Sequence, residues 1–311
     1  MGLEDLAAIS RKYGGDPDWV LAGGGNTSFK DERTLFIKAS GFALATIGPD
    51  GFAAMDRSAL AAIWNASYPE DEAGRESAAL ADLMAAREAG ESRRPSVETL
   101  MHELFPYAYV VHTHPALING ITCGANGEQE ARRLFGSRVL WVPAIEPGYV
   151  LATRMRELCT AHAEQTGSFP QIALLQNHGL VVAADTTSEI ETLQSEVRRT
   201  VERALSRRPH LSSVDEDDAA RDRWHTAIET AWQSEVAVEF ESNAELLARL
   251  ESPEAFAPLD GAFTPDHIVY AGSAPIYVDG SPVNSAAGLR SRIVSYRSEH
   301  GSLPRIVAVA G

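Results

Sequence analysis

The sequence predicts a mixed α/β or α+β fold. Short apolar runs of strand length, each closed by glycine or proline, alternate with longer stretches of helical periodicity. The 311 residues, 44% hydrophobic and 23% charged, suit a globular chain with room for one large domain or two smaller ones. No internal repeat or low-complexity tract interrupts the pattern.

In order, Leu3 to Lys12 reads as a helix stopped by Gly14, Gly15 and Pro17. Two strands follow: Trp19 to Ala22, entering Gly23-Gly24-Gly25, and Thr34 to Ala39, entering Ser40-Gly41. Helices are expected at Arg57 to Trp64, Glu76 to Ala89 and Val97 to Leu104, the last introduced by Pro95-Ser96. A strand through Ala108 to Val111 closes on His112-Thr113-His114-Pro115. Next come a helix from Leu117 to the Gly124–Gly127 turn, strand Val139 to Val142, helix Thr153 to Gln165, strands Ile172 to Gln176 and Leu180 to Ala183, and a charged helix from Glu189 to Arg207. Arg208-Pro209-His210 and the acidic stretch Asp215 to Asp218 mark a boundary. Residues 1–212 are therefore expected to form one domain and 213–311 a second. The second holds helices Ala219 to Val238 and Ala244 to Leu250, strand Ile276 to Val278, helix Ser285 to His300 and strand Arg305 to Val309.

A formal charge of −16, from 27 Lys+Arg against 43 Asp+Glu, argues against nucleic acid or an anionic membrane as partner. An anionic substrate would need a local site that overcomes this field. The two cysteines, Cys123 and Cys159, make no disulfide framework. No stretch approaches about 18 apolar residues, and the first residues lack the basic start and apolar core of a signal peptide, so a cytoplasmic location is expected.

Three constellations carry chemistry. In a strand, residues i and i+2 share a face, roughly 6.5 to 7 Å apart, so His112 and His114 can converge on one ion. A catalytic zinc takes three protein ligands and leaves a position open. His178, after strand Ile172 to Gln176 and beside Gly179, is the expected third. Gly25-Asn26-Thr27-Ser28, at the end of the glycine run, offers backbone and side-chain donors to an anion, and the junction Lys38-Ala39-Ser40-Gly41 could supply more. The Walker and dinucleotide spacings are absent. Ser96, at a helix start, is placed to help bind an anion, and Glu98 to serve as metal ligand or proton-transferring base. His102, four residues after Glu98 on the same helix face, could support the site from behind, but reads rather as a packed or surface histidine.

Taken in order, Gly-Asn-Thr-Ser, Ser-Gly, Pro-Ser-x-Glu, His-Thr-His-Pro and Asn-His-Gly resemble the class II aldolase/adducin family of the L-fuculose-phosphate and rhamnulose-phosphate aldolase type, over residues 1 to about 210. The resemblance implies a central, mainly antiparallel sheet flanked by helices, with a C-terminal α/β extension. It implies zinc on His112, His114 and His178, or another divalent transition metal such as manganese, iron or cobalt, and Glu98 as acid/base. It further implies a phosphate site at Asn26, Ser28, Ser40, Gly41 and Ser96, adjoined by Gly25 and Thr27. The tyrosine proton donor that the family's aldolases draw from a neighbouring subunit has no counterpart in register. Tyr149 lies about one residue off and is not assigned. Residues 213–311, notably Thr264-Pro265-Asp266-His267 and Pro304 to Val307, resemble the segment after the aldolase half of aldolase/short-chain dehydrogenase fusions. No dinucleotide loop occurs before Gly311.

The expected activity is reversible cleavage of a ketose 1-phosphate, or a related phosphorylated sugar, to dihydroxyacetone phosphate and an aldehyde through a metal-stabilised enediolate, in a homotetramer. The rival is a metal-dependent decarboxylase of a phosphorylated 3-keto sugar acid. A 4-epimerase would carry aspartate at Glu98, and a non-catalytic adducin-like module would lack the histidines.

Overall fold

The fold is organised by a seven-stranded sheet that orders the strands β3-β2-β1-β4-β7-β6-β5, all neighbours antiparallel except β5 and β6. The computed structural model describes residues 2–214, 218–233, 236–279 and 286–310. The chain divides into two compact units, 1–204 and 205–311.

The first unit runs α1 (Leu3–Gly14), β1 (Asn26–Lys30), β2 (Thr34–Lys38), β3 (Phe52–Asp56), α2 (Arg57–Ile63), α3 (Glu72–Ala85), α4 (Thr99–Leu104) and β4 (Tyr109–Thr113). It continues with α5 (Ala116–Thr122), α6 (Gly127–Phe135), β5 (Leu140–Val142), α7 (Tyr149–Thr166), β6 (Ile172–Leu175), β7 (Gly179–Ala184) and α8 (Thr187–Ala204). Strand alternation sorts the apolar residues onto two faces. Val111 and Val182 pack with Leu6, Tyr13, Ile190 and Val197 of α1 and α8. Val110 and Val181 pack on the other face with Met101, Phe105, Leu151 and Met155 of α4 and α7. A third cluster joins Leu35, Ile37 and Met55 to Leu60 and Leu83 of α2 and α3. Both faces of the sheet are thus covered, and β4 and β7 are buried at every residue.

The second unit runs α9 (Asp218–Trp232), α10 (Ala244–Leu250), α11 (Pro253–Phe256), β8 (Ile276–Val278), α12 (Ala286–His300) and β9 (Val307–Val309). Parallel β8 and β9 and a small core of Ile228, Val278, Leu289, Ile293 and Tyr296 hold it. Asp215 to Asp217, in the acidic boundary stretch, and Ser285, the expected start of the last helix, lie outside the described residues. Among the described residues no helix is long and apolar enough to cross a membrane.

The structure differs from the sequence expectation in three respects. Trp19 to Ala22 is not a strand. The Asp16 carbonyl collects the N–H groups of Trp19 and Val20 while the Asp16 side chain takes that of Asp18, so the chain turns before it can pair. Trp19 and Val20 are apolar because they are core, Trp19 edge-on to Tyr13 at 5.0 Å. The strand begins instead at Asn26. Second, β3 and α6 carry no expectation from sequence. β3 is alanine-containing and weak in strand propensity, and α6 is dominated by charged and polar residues. Third, the helix expected from Val97 starts at Thr99. The Ser96 carbonyl accepts the Thr99 N–H at 3.2 Å and hydroxyl at 2.6 Å, so Glu98 stands just ahead of the helix.

Candidate metal and acid/base site

One face of β1 carries helix α4. Alternate residues Asn26, Ser28 and Lys30 share that face, spaced by about 6.6 Å along the strand, while four residues of helix advance about 6 Å. The two repeats match. Asn26 Nδ2 lies 2.5 Å from Glu98 Oε2, ahead of the helix. Ser28 Oγ lies 2.7 Å from Nδ1 of His102, in its middle. Lys30 Nζ donates to the carbonyls of His102, Glu103 and Phe105 at 2.6, 3.1 and 2.5 Å, at its end.

Those terminal carbonyls have no partner within the helix, and a cation there also favours the helix dipole. Burial lowers the Lys30 pKa to about 8, against the Glu103 carboxylate. Because α4 has only six residues, too few for independent stability, it depends on such contacts. Lys30→Met is expected to cost about 2 kcal/mol, because three buried carbonyls lose their donor. The urea midpoint checks this, and an unchanged midpoint would refute it.

The three histidines meet at the end of the central strands. His112, near the end of β4, faces the same side as α4 and stands opposite Asn26 in the β1–β4 register. His114, just past β4, donates its backbone N–H to the Trp19 carbonyl at 3.1 Å, so the segment misread as a strand braces a site residue. His178 sits in the β6–β7 turn, whose Asn177 takes φ 57°, a left-handed conformation that asparagine tolerates. The ligand atoms of His112, His114 and His178 lie within 4.8 Å of one another, and they form such a group among the described residues. His112 Nε2 is 2.9 Å from His114 Nε2 and 3.2 Å from His178 Nε2.

Two glycines allow this convergence. A Cβ on Gly179 would stand 2.4 Å from the Thr113 carbonyl oxygen and 2.8 Å from His114 Cδ2. Gly25 has φ 68°, and a Cβ there would stand 2.7 Å from the His112 carbonyl oxygen. Gly179→Ala is expected to destabilise the fold by about 1 to 3 kcal/mol and weaken metal retention, because backbone at the β4–β7 seam must move. Thermal melting with and without added zinc checks both.

The donor set fits a divalent metal. His112 Nδ1 lies 3.0 Å from the Leu180 carbonyl oxygen, an arrangement that puts the proton on Nδ1 and the lone pair on Nε2. Nitrogens about 2.0 to 2.1 Å from a tetrahedral zinc would be about 3.3 Å apart, close to the separations seen. With its proton on Nδ1, His112 Nε2 can only accept, whereas a cation would engage the lone pairs of all three rings.

Glu98, 6% exposed, completes the cluster, with Oε2 3.7 Å from His112 Nε2 and Oε1 3.5 Å from His178 Nε2. Oε1 has no hydrogen-bond partner among the described residues. Burial raises the Glu98 pKa, but His112, His178, the Asn26 hydrogen bond and His114 outweigh it and lower the value to about 2. Burial pushes His112 well below its ordinary value although Glu98 opposes. The two shifts conflict, since a neutral imidazole cannot hold a carboxylate ionised. Burial acts on His112 whatever its neighbours do, so His112 is neutral. A cation among the three Nε2 atoms would supply the charge that keeps Glu98 ionised.

The expected anion donors are only partly gathered. Ser40 and Gly41 are exposed, and Ser40 pairs with the segment before Ser96, its N–H 2.8 Å from the Arg94 carbonyl and its hydroxyl 3.4 Å from the Pro95 carbonyl. Ser96 Oγ is 3.3 Å from Asn26 Nδ2. Thr27 points to the opposite face of β1, Oγ1 2.6 Å from Ser10 Oγ, and the buried Ser28 hydroxyl is taken by His102. The Gly24 N–H closes a turn on Leu21, and Gly25 serves close packing. Lys38 opens the same expected donor junction. It is 8% exposed, 3.5 Å from the Gly23 carbonyl, and its pKa is lowered by burial and raised by Glu98. A lysine two residues before Ser-Gly in a strand was the available signal. Tyr149 opens α7 with its ring against Tyr68 at 4.8 Å.

The fold and the histidine cluster together define a class II aldolase-type protein: the chain belongs to the class II aldolase and adducin N-terminal domain family, whose model matches residues 4–205. Among solved structures, it is similar to the N-terminal class II aldolase domain of a conserved protein from Thermoplasma acidophilum, at 30% identity and TM-score 0.55, covering 66% of this chain and 93% of that one. It is also similar to an L-fuculose-1-phosphate aldolase from Thermus thermophilus, at 16% identity and TM-score 0.40, over 64% of this chain and 92% of that one. The uncharacterized oxidoreductase YuxG of Bacillus subtilis (strain 168) is 27% identical over 332 residues, 96% of this chain. The chain spans 46% of the length of that curated relative.

Proposed function

We propose that this chain is a divalent-metal-dependent aldehyde-lyase that reversibly cleaves a ketose 1-phosphate, or a related phosphorylated sugar, to dihydroxyacetone phosphate and an aldehyde. The supporting observation is the buried meeting of three imidazole nitrogens with a carboxylate, Glu98, whose Oε1 is unclaimed. His112, His114 and His178 would hold the metal, with zinc the first choice and manganese, iron or cobalt also suited to imidazole ligands. When bound, it acts as a Lewis acid that stabilises negative charge developing on the substrate oxygen.

Glu98 would take the proton from, or return it to, the substrate carbon. Its oxygens stand 3.7 Å from His112 Nε2 and 3.5 Å from His178 Nε2, so a group bound at the cluster would lie against it. Asn26 holds Oε2 and leaves Oε1 for this transfer. The substrate phosphate would lie against Ser40, Gly41 and Ser96, with the Lys38 ammonium neutralising its charge. Such a local cation answers the −16 formal charge of the chain.

A retro-aldol assay over a panel of ketose 1-phosphates, with metal analysis and a parallel decarboxylation assay on 3-keto sugar acid phosphates, tests the reading. Release of dihydroxyacetone phosphate supports it. Carbon dioxide release without aldol cleavage transfers the site to the decarboxylase reading.

A further inference from the structure

The Asn26 carboxamide is engaged at both ends. Its Nδ2 faces Glu98 Oε2 at 2.5 Å and Ser96 Oγ at 3.3 Å, and its Oδ1 meets His102 Nε2. Turned over, the carbonyl oxygen would face a carboxylate oxygen with no hydrogen between two acceptors, so the NH2 belongs on the Glu98 side. An amide oxygen only accepts, and His102 Nε2 must therefore carry a proton. A neutral imidazole has a single N–H, which leaves Nδ1 as acceptor. The hydrogen between Nδ1 and Ser28 Oγ, 2.7 Å away, is then the serine's.

The chain of donors has one direction: Ser28 O–H to His102, His102 Nε2–H to Asn26, Asn26 N–H to Glu98. His102 and Ser28 are fully buried and Asn26 is 5% exposed, so water does not replace any of these bonds. Burial also holds the imidazole neutral, lowering its pKa to about 3 against the opposing Glu98 charge. His102 and Glu98 stand one helical turn apart, and the His102 N–H donates to the Glu98 carbonyl at 3.2 Å, which closes a ring through Asn26.

We propose that His102 is a positioning residue of this site: as the Nε2–H tautomer backed by the Ser28 hydroxyl, it fixes Asn26 with its NH2 toward Glu98, and so fixes the carboxylate with Oε2 anchored and Oε1 turned to His178. Without a donor on Oε2, the carboxylate would be free to rotate, and supporting hydrogen bonds of this kind set how precisely a reacting group is aimed. The assignment rests on the reading of Glu98 as acid/base only for its effect on turnover.

The test is nitrogen-15 imidazole spectroscopy of the zinc-supplemented full chain, followed by the side-chain amides of His102→Leu and His102→Gln. The expected spectrum shows His102 protonated at Nε2 and accepting at Nδ1, unchanged from about pH 6 to pH 8. His102→Leu should shift the Asn26 carboxamide pair. His102→Gln, able to donate to Asn26 and accept from Ser28, should restore it. An Nδ1–H tautomer, a charged His102 in that range, or an Asn26 pair unmoved by His102→Leu would overturn the proposal. The wild-type tautomer decides the matter even if His102→Leu does not fold. None of these readouts uses substrate, so a chain without aldol activity still decides for or against the role of His102. With a substrate from the panel, His102→Leu should lower kcat about tenfold or more at unchanged KM and zinc content, with recovery in His102→Gln. Wild-type kcat in His102→Leu would likewise overturn it.

Discussion

Replacing His112 by alanine should abolish metal binding and turnover together. His112 is fully buried between its two companions, 2.9 Å and 3.2 Å from their Nε2 atoms, and its other nitrogen is tied to β7. Two of the three proposed ligands remain after its loss, one fewer than the three protein ligands a catalytic zinc site takes. Metal analysis of the purified variant should fall from about one ion per chain to background. A metal present at 100 times its dissociation constant stabilises the folded state by about 2.7 kcal/mol. The rise in melting temperature on adding zinc should therefore appear in the wild type and vanish in the variant. A purified variant that retains stoichiometric zinc would sink the assignment.

Glu98→Gln should separate metal from chemistry. Glutamine can keep its oxygen toward Asn26 Nδ2 and its amide toward His178, so the packing around the buried side chain survives. It cannot accept a proton at the substrate carbon. Zinc content should stay near the wild-type value while kcat falls by about 10² to 10⁴, the usual worth of a positioned acid/base. An active variant removes that role. A variant that loses zinc as well makes Glu98 a metal ligand instead.

What could be read from sequence follows the range of each signal. The two-residue period of His112 and His114 survives into the structure because β4 is a central strand with fixed faces. His178 was within reach because it follows an apolar strand and precedes a glycine, although nothing local shows that β7 lies beside β4. The apolar residues of Trp19 to Ala22 signal burial, not hydrogen-bond partners, and Asp16 claims the N–H groups of Trp19 and Val20. Lys30 reads as an ordinary polar residue, Lys38 only as part of a donor junction, and His102 chiefly as a packed or surface histidine. Their roles arise only when partners distant in sequence are brought against them, as His102 is against Lys30 across 72 positions. The same holds for Thr27 and Ser28, neighbours in the motif that alternation sends to opposite faces.

The match of spacing between β1 and α4 also makes the site all-or-none with respect to strand pairing. Were β1 to pair one residue out of step, Thr27 and Phe29 would replace Asn26, Ser28 and Lys30 beneath the helix, and every polar anchor that β1 gives α4 would be lost in one event. Such a slipped chain would have no intermediate grade of function. It would carry an unsupported helix, a misdirected carboxylate and no cation under the terminal carbonyls. Activity in a folded population should therefore count correctly registered molecules, each either whole or silent.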